Sequence, residues 1–526
     1  MYKAAFHEKI YQLQGRAMRN TGIMSRKRDG KCHLFSTSIL VMITIAFFKI
    51  SCSSPTESEN GDDDQPAGPA TELLIDTDER KQVIDGFGFF GSRTVWWDSN
   101  PQNHFTEKWG RMIIEDLGLT IWRNEYYPAE TDLSSQDTDW EFQKPVVEGI
   151  ADAAEEAGVD LKMIFTVWSP PDHMKIAISD DGTQLPGAAG RKRYVDQAHP
   201  GGAKWGGTLN PEMYEEFGNW LADGISLYEE IGIDIYAISP QNEPLFEQFF
   251  NSCYYRVDWY AEMLEYAMPV VRERYPDVKV FGSENMLGME GLRDRRWFYH
   301  YELMNRNPSA LEELDVWAVH GYVDGVVPAE TARASEAWRN HYEDYVAPTG
   351  KPVWMTETSG YHDHWETEDG RAGALALGLA IHAALYHGNA SAWVWWQGSD
   401  YNELGEFNLM QTENNPGLRY YVSRQFYRFI RPGAERVELV YDEDEGVFAT
   451  AYVHDEMDTF TIVAINTNNE PVDLFLEGDD LPETYEMHVT TQSLHGEVQG
   501  TKGAGEIVLP ASSVVTLVHG NVFEHK

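Results

Sequence analysis

Cysteine is scarce in this chain of 526 residues, which contains only three. Cys32 and Cys52 both fall in an N-terminal segment that reads as an export signal, so a mature domain would keep Cys253 alone. One thiol cannot form an intrachain disulfide. The fold must therefore depend on a packed core, for which a hydrophobic share of 42% suffices.

Basic residues are also few, at 41 Lys and Arg against 85 Asp and Glu, which gives a formal net charge of −44. Such an acidic surface repels phosphate backbones, so nucleic acid is excluded as an expected partner. A strongly anionic substrate is disfavoured too, unless its binding cleft is locally basic. Solubility, or adaptation to a salty habitat, accounts for the charge without any binding function.

The chain lacks an apolar run long enough for an ordinary membrane span. The run from Ser36 to Ile50 has about 15 residues, below the roughly 20 that a spanning helix needs. It follows the basic stretch Arg26-Lys27-Arg28, as in a signal peptide. Cys52, just after it, resembles the acylated cysteine of a bacterial lipoprotein, although Ile50 stands where a small residue is usual. We therefore predict export and a lipid anchor on Cys52, with Met24 as a more typical start than Met1.

The chain then divides by composition. Residues 1–52 are the predicted export segment, and residues 53–70 form a polar, acidic linker that is typical of a flexible tether. Strand-like and helix-like stretches alternate over residues 86–431, which predicts a parallel sheet closed into a (β/α)8 barrel or doubly wound. Short strands and turns over residues 432–526 predict a β-sandwich, which strands in residues 71–85 are expected to join.

Two glutamates stand at the ends of predicted strands. Glu243, in Asn242-Glu243-Pro244, follows one strand, and Glu357 ends another. In a (β/α)8 barrel both would project into one cleft at the carboxyl ends of the strands. Hydrolysis of a glycosidic bond needs such a pair: one carboxyl protonates the leaving oxygen and, in a retaining enzyme, the other attacks the anomeric carbon. Asn242 would donate to the sugar 2-hydroxyl. Taken singly, a Glu before Pro often only ends an element, and a strand-final Glu often only pairs with Arg.

A series of motifs strengthens this interpretation. In chain order they are Asp85-Gly86-Phe87-Gly88, Trp122-Arg123-Asn124, Trp168-Ser169-Pro170-Pro171, Gly207-Thr208-Leu209, Ser239-Pro240-Gln241-Asn242-Glu243-Pro244 and Trp354-Met355-Thr356-Glu357. Together they resemble glycoside hydrolase family 30, from about Asp85 to the C-terminus. The resemblance implies a retaining enzyme with a (β/α)8 barrel and a β-sandwich built from both termini. It makes Glu243 the acid/base and Glu357 the nucleophile, and it implies no metal and no cofactor.

The same resemblance suggests roles for further residues. Arg123 would hold the nucleophile carboxylate, Trp168 would floor the sugar site, and Tyr322 would donate to the nucleophile. One of Trp395 and Trp396 would stack on the sugar while the other points outward, because side chains alternate along a strand. Trp97, with Trp96, would line the cleft. For each of these residues packing in the core is the alternative role.

Other chemistries find little support in the sequence. It has no Gly-x-Ser-x-Gly motif for a serine hydrolase and no His-Glu-x-x-His motif for a zinc enzyme, and His362 and His364 fit a polar loop. We therefore expect a monomeric enzyme that cleaves β-linked polysaccharide, endo-acting on xylan or on a β-1,6-linked glucan or galactan. The alternatives are an exo-acting β-glycosidase, such as a glucosylceramidase-like enzyme or a β-xylosidase, and a catalytically silent carbohydrate-binding protein. After the eighth strand, Gln397 to Glu403 contains no Arg or Lys, unlike glucuronoxylanases of the family, so strict dependence on glucuronate is not expected.

Overall fold

The computed structural model describes residues 69–91, 106–126, 140–178, 184–185, 207–246, 252–292, 299–322, 331–398, 404–410 and 415–522. Cys52, Trp96 and Trp97 lie outside these residues, so the predictions of an export segment, a lipid anchor and a cleft contact from Trp97 stay predictions. Within the described part of the chain, no helix combines the length and the hydrophobicity needed to cross a bilayer.

The described residues form twenty strands, of which the first twelve are interleaved with α-helices and the last eight follow the last α-helix. The strands are β1 Ala70–Val83, β2 Gly86–Phe90, β3 Ile121–Glu125, β4 Lys162–Thr166, β5 Lys175–Ile178, β6 Gln184–Leu185, β7 Thr208–Leu209, β8 Ile235–Ser239, β9 Lys279–Met286, β10 Val316–Gly321, β11 Val353–Thr358, β12 Ala390–Trp395, β13 Glu435–Val440, β14 Val447–His454, β15 Thr459–Asn466, β16 Val472–Glu477, β17 Thr484–Thr490, β18 His495–Gly503, β19 Ile507–Leu509 and β20 Ser513–His519. The α-helices are Glu107–Arg111, Trp140–Ala157, Tyr214–Glu229, Val257–Arg274, Leu287–Gly291, Tyr299–Arg306, Pro308–Glu312, Thr331–His341, Ala347–Thr349, Ala374–Tyr386 and Leu418–Tyr427. The described residues also form two π-helical segments, Met112–Leu117 and Tyr342–Val346. Three short 3₁₀ segments are Asp172–Met174, Pro211–Met213 and Glu443–Glu445.

Eight parallel strands close into a barrel in the order β2-β3-β4-β8-β9-β10-β11-β12, with β12 pairing back to β2. Its interior is filled by apolar side chains from successive strands, among them Ile121, Ile164, Phe281 and Trp354, all fully buried. The barrel predicted from the alternation of strands and helices is therefore confirmed.

The sequence Gly86 to Gly91 matches the Gly-x-Gly-x-x-Gly spacing of dinucleotide-binding turns, but here it has a different use. Gly86–Phe90 is the first barrel strand rather than the start of a helix. A Cβ on Gly88 would lie 1.8 Å from the carbonyl oxygen of Ile121 on the neighbouring strand. This glycine therefore allows two barrel strands to approach closely, and no phosphate-binding turn is formed.

The second β domain combines both ends of the described chain. β1 pairs with β13 and with β16, so the N-terminal strand lies in the middle of a nine-stranded sheet of order β18-β17-β20-β15-β14-β13-β1-β16-β19. The predicted β domain built from both termini is confirmed, and its nine strands hydrogen-bond into one continuous sheet. Residues from both ends of that sheet share one hydrophobic cluster, including Leu474 from β16 and Val489 from β17, so the sheet folds over a core of its own. The opposite face of β15 packs on the barrel helices through Val463 and Ile465.

Candidate active site

All eight barrel strands contribute a side chain to one cluster at their carboxyl ends, the end at which barrel enzymes carry their sites. In strand order around the barrel these residues are Phe90, Arg123, Trp168, Glu243, Glu284, His320, Glu357 and Trp396. Seven of the predicted residues thus lie together: Arg123, Trp168, Asn242, Glu243, Tyr322, Glu357 and Trp396.

Arg123 on β3 is the centre of this cluster and is fully buried. Its Nη1 donates to Oε2 of Glu357 at 2.7 Å, and its Nη2 donates to Glu284 at 2.9 Å and to Oδ1 of Asn242 at 3.0 Å. The bond to Asn242 fixes that amide, so its Nδ2 donor points away from the guanidinium. Its Nε donates to Thr166 at 3.2 Å. One planar side chain therefore orients groups from four other strands.

Glu243 lies four residues beyond the end of β8, with 9% of its surface exposed. Its backbone has φ of +45°, a left-handed conformation that costs a residue other than glycine of order 1–3 kcal/mol and is concentrated at functional sites. Oε1 of its carboxyl group lies 3.0 Å from Nδ1 of His320. Ligand atoms of Glu243, His320 and Glu357, one from each, all lie within 4.8 Å of one another.

Glu357 is the penultimate residue of the barrel strand β11 and reaches the cluster through a bulge. Val319 pairs with Met355 but His320 pairs with Glu357, so Thr356 is an extra residue in β11. A bulge reverses the alternation of side chains, which brings Glu357 to the barrel interior. There its carboxylate accepts hydrogen bonds from Arg123 and from the hydroxyl of Tyr322.

Glu284 and His320 belong to the cluster but were not predicted as site residues. Glu284 on β9 is the extra residue of a second bulge, because Ala318 pairs with Ser283 and Val319 pairs with Asn285. Its φ is +59°, and its side chain is fully buried. Nε2 of His320 lies 3.3 Å from Oε1 of Glu284, so the imidazole bridges two carboxyl groups, Glu243 on one side and Glu284 on the other.

Burial and charge set the protonation states of the cluster. Burial opposes the charged form of His320, but Glu357, Glu243 and Glu284 together raise its pKa to about 9. Burial, with help from the charges on Glu357 and Glu284, raises the pKa of Glu243 although His320 opposes the rise. Burial also favours a neutral Glu284, but the charge of Arg123 and the contact with His320 hold its pKa below the ordinary value. At neutral pH, His320 is therefore an imidazolium and Glu284 a carboxylate.

Aromatic rings form one wall beside these charges. Trp168 packs edge-on against Phe90 at a centroid separation of 5.7 Å, and Trp396 stacks on Phe90 at 4.3 Å. Trp396 remains partly exposed. Trp395 is placed differently: it is fully buried on the outward face of β12, against Tyr361, and its Nε1 donates to the carbonyl of residue 407. Of the two predicted tryptophans, Trp396 is the one at the cluster, and Trp395 does not reach it because alternation turns it outward.

Three residues of the cluster, Glu243, His320 and Glu357, have the geometry to offer ligand atoms to a metal ion. Their chemistry does not suit one. A histidine ligand must be neutral, whereas the three carboxyl groups raise the pKa of His320 to about 9. The guanidinium of Arg123, 2.7 Å from Glu357, also occupies the carboxylate with a fixed positive charge. The expectation of a reaction without metal stays a prediction.

Comparison with known proteins identifies similar sequences and folds. No protein-family model matches the chain. It is 23% identical over 407 residues to the glucuronoxylanase XynC of Bacillus subtilis strain 168, a match that covers 77% of this chain and 80% of the relative. The solved structure of the family 30 subfamily 8 xylanase Xyn30A from Clostridium acetobutylicum superposes with a TM-score of 0.63 at 20% identity, covering 86% of this chain and all of that one. The endo-β1,6-glucanase BT3312 superposes with a TM-score of 0.62 at 17% identity, covering 87% and 94%.

The barrel, the carboxyl cluster at its carboxyl end and these relatives define the chain as a glycoside hydrolase. In its ordered motifs from Asp85 to Glu357 and in its fold, the chain is similar to glycoside hydrolase family 30.

Proposed function

We propose that the enzyme hydrolyses β-linked polysaccharide with retention of configuration, with Glu243 as acid/base and Glu357 as nucleophile. The observation that carries this proposal is the short separation of the two groups, with an oxygen of each within 4.8 Å of the other. Retaining enzymes place their carboxyls about 5–5.5 Å apart, and inverting enzymes need about 6.5–9.5 Å to admit a water molecule.

The surroundings of each glutamate fit its proposed role. Glu243 is raised in pKa by burial, so it keeps a proton for the leaving oxygen at higher pH than an ordinary glutamate. Glu357 accepts hydrogen bonds from Arg123 and Tyr322, which fix the orientation of its carboxylate. In the first step Glu357 attacks the anomeric carbon while Glu243 gives its proton to the departing sugar oxygen. In the second step Glu243 takes a proton from water, whose oxygen displaces Glu357 from the anomeric carbon.

A pair of variants tests these assignments. Replacement of the nucleophile, Glu357→Ala, is expected to abolish turnover, and azide should restore part of it with an inverted glycosyl azide. Replacement of the acid/base, Glu243→Ala, should keep activity on aryl glycosides with good leaving groups, lose the alkaline decline of the pH profile, and give a glycosyl azide of retained configuration. Product configuration is read by proton NMR. If Glu357→Ala retained near-normal activity, the nucleophile assignment would be wrong.

We infer that the enzyme acts within polysaccharide chains, on xylan or on a β-1,6-linked glucan or galactan. Relatives and neighbours described as xylanases and as an endo-β1,6-glucanase support this substrate class. Because residues 397–403 carry no Arg or Lys, we expect hydrolysis that does not require a glucuronate branch. A panel of glucuronoxylan, arabinoxylan, β-1,6-glucan and β-1,6-galactan, with chain-length analysis of the products, tests this. Early products of mixed length support endo action, single-sugar release indicates an exo-acting enzyme, and binding without any turnover indicates a silent carbohydrate-binding protein.

We also propose export and acylation at Cys52, supported by the basic stretch and short apolar run that precede it. The anchor is tested by expression in a Gram-negative host with radiolabelled palmitate, comparing the wild-type chain with Cys52→Ser. Label and detergent-phase partitioning should both disappear in the variant. Label retained by the variant would refute the anchor at this position.

A further inference from the structure

A third carboxyl group, that of Glu284, lies in the cluster without a place in the two-step reaction. It is fully buried and held by the bulge in β9 in a left-handed backbone conformation. Its Oε1 is 2.9 Å from Nη2 of Arg123 and 3.3 Å from Nε2 of His320. It therefore contacts both cations of the cluster, while His320 separates it from Glu243.

The charges of the cluster explain what Glu284 can contribute. Arg123 and the imidazolium of His320 carry two positive charges, and the ionised nucleophile Glu357 supplies one negative charge. An ionised Glu284 supplies the second, so the buried cluster is neutral when Glu243 is protonated. Without that second charge, ionisation of Glu243 would be the simplest way to balance the cations, and the acid would be lost.

We propose that Glu284 is a positioning residue for acid catalysis: its charge offsets one of the two buried cations, and its contact with His320 aims Nδ1 of that ring at Glu243. This inference rests on the proposed role of Glu243 as the acid/base. It assigns to Glu284 no contact with substrate.

The strands and the helix packed around Glu284 and His320 bring further charged and titratable groups against them, and these groups also enter the charge balance of the cluster. They are Arg123 on β3, Glu243 after β8, Tyr260 on the helix Val257–Arg274, Tyr322 after β10 and Glu357 on β11. Both tyrosines have pKa values raised by burial and by nearby carboxylates, so they stay neutral and do not alter the count of charges.

The substitution Glu284→Gln tests the charge while keeping the shape, because the amide oxygen still accepts from Arg123. The measurement is the pH profile of kcat/KM on a polysaccharide or on an aryl glycoside with a poor leaving group. Loss of the negative charge should move the alkaline limb to lower pH by about one unit. Activity on an aryl glycoside with a good leaving group, which needs little acid assistance, should change much less.

A matched control is Glu290→Gln, which alters another fully buried glutamate near the end of β9. Glu290 accepts from Asn285 and from the backbone of residues 299 and 300, and burial raises its pKa to about 8, so it carries little charge at neutrality. We expect this variant to change stability and leave the alkaline limb in place. An equal movement of the limb in both variants would overturn the proposal, as would an unmoved limb in Glu284→Gln.

A second background keeps the proposal testable if Glu284→Gln fails to fold. The double variant Glu284→Gln/His320→Gln removes one anion and one cation, and it is compared with His320→Gln alone. Adding Glu284→Gln should lower the alkaline limb by about one unit in this background as well, and no movement would refute the electrostatic role. If the wild-type protein had no glycosidase activity, the proposed function itself would be wrong. If it were active but Glu284→Gln left the alkaline limb of the pH profile unmoved, only the role of Glu284 would be wrong.

Discussion

Replacement of Arg123 by methionine should destabilise the protein more than most single substitutions. The guanidinium is fully buried, and its ion pairs with Glu357 and Glu284 have N–O distances of 2.7 and 2.9 Å. Methionine fills similar space but leaves two carboxyl groups without their cation. Breaking a buried pair by removing one partner costs about 3–5 kcal/mol, mostly because an uncompensated charge stays in the interior. We expect Arg123→Met to lower the free energy of unfolding by that amount.

The double variant Arg123→Met/Glu284→Gln distinguishes two causes of the lost stability, the uncompensated buried carboxylates and the lost packing of the Arg123 side chain. Removing one of the two uncompensated carboxylates should recover part of the stability, and residues that share a buried network show coupling of about 0.5–3 kcal/mol. Urea unfolding followed by tryptophan fluorescence measures all three proteins. Arg123→Lys serves as the control, since it keeps the charge and loses only the planar fork, and its loss should be the smallest. If the double variant were no more stable than Arg123→Met, stranded charge would not be the cause.

Four further substitutions give expected outcomes of different kinds. Tyr322→Phe removes a donor to the proposed nucleophile and should lower kcat about 10- to 100-fold with a small change in melting temperature; a normal kcat would exclude this contact from the reaction. Trp396→Ala should raise KM for oligosaccharides while stability changes little, whereas Trp395→Ala should cost about 3–5 kcal/mol of stability as a buried core residue, and the reverse pattern would contradict their placement. Gly88→Ala forces a Cβ against the backbone of the neighbouring barrel strand and should give mostly insoluble protein, so a soluble variant with wild-type stability would refute the close approach.

The barrel and the positions of the two proposed catalytic glutamates could be predicted from the sequence. Each barrel strand is a short apolar run, and a polar residue at its end has to lie at the carboxyl face once the barrel closes. Glu357, Arg123 and Asn242 follow from this rule, and Glu243 follows from its place after β8. Their mutual contacts follow from the closed order of the strands, which brings together residues far apart in the chain.

Glu284 and His320 also lie within two residues of the ends of β9 and β10, so the same rule places them at the carboxyl face. Their roles could not be predicted in this way, because the partners of Glu284 come from β3 and β10 and meet only once the barrel closes. The bulges in β9 and β11 are also invisible to strict alternation, which would turn Glu357 outward if Trp354 points inward. For Trp395 and Trp396, the alternation of side chains predicted that one ring faces the cluster and the other faces outward. It did not predict that Trp396 is the one at the cluster.

The network around Arg123 forms the uppermost layer of side chains inside the barrel. This layer is polar, and we argue that the reaction, rather than stability, requires it to be polar. Below it the barrel is filled by fully buried side chains such as Ile121 and Phe281. A further apolar layer would be at least as stable, because replacing buried ion pairs by packed hydrophobic groups is commonly neutral or stabilising. Stability therefore gives no reason for three carboxyl groups and two cations in this layer. A reaction that must hold one glutamate protonated beside another that is ionised does give one, since only fixed buried charges keep the two states apart.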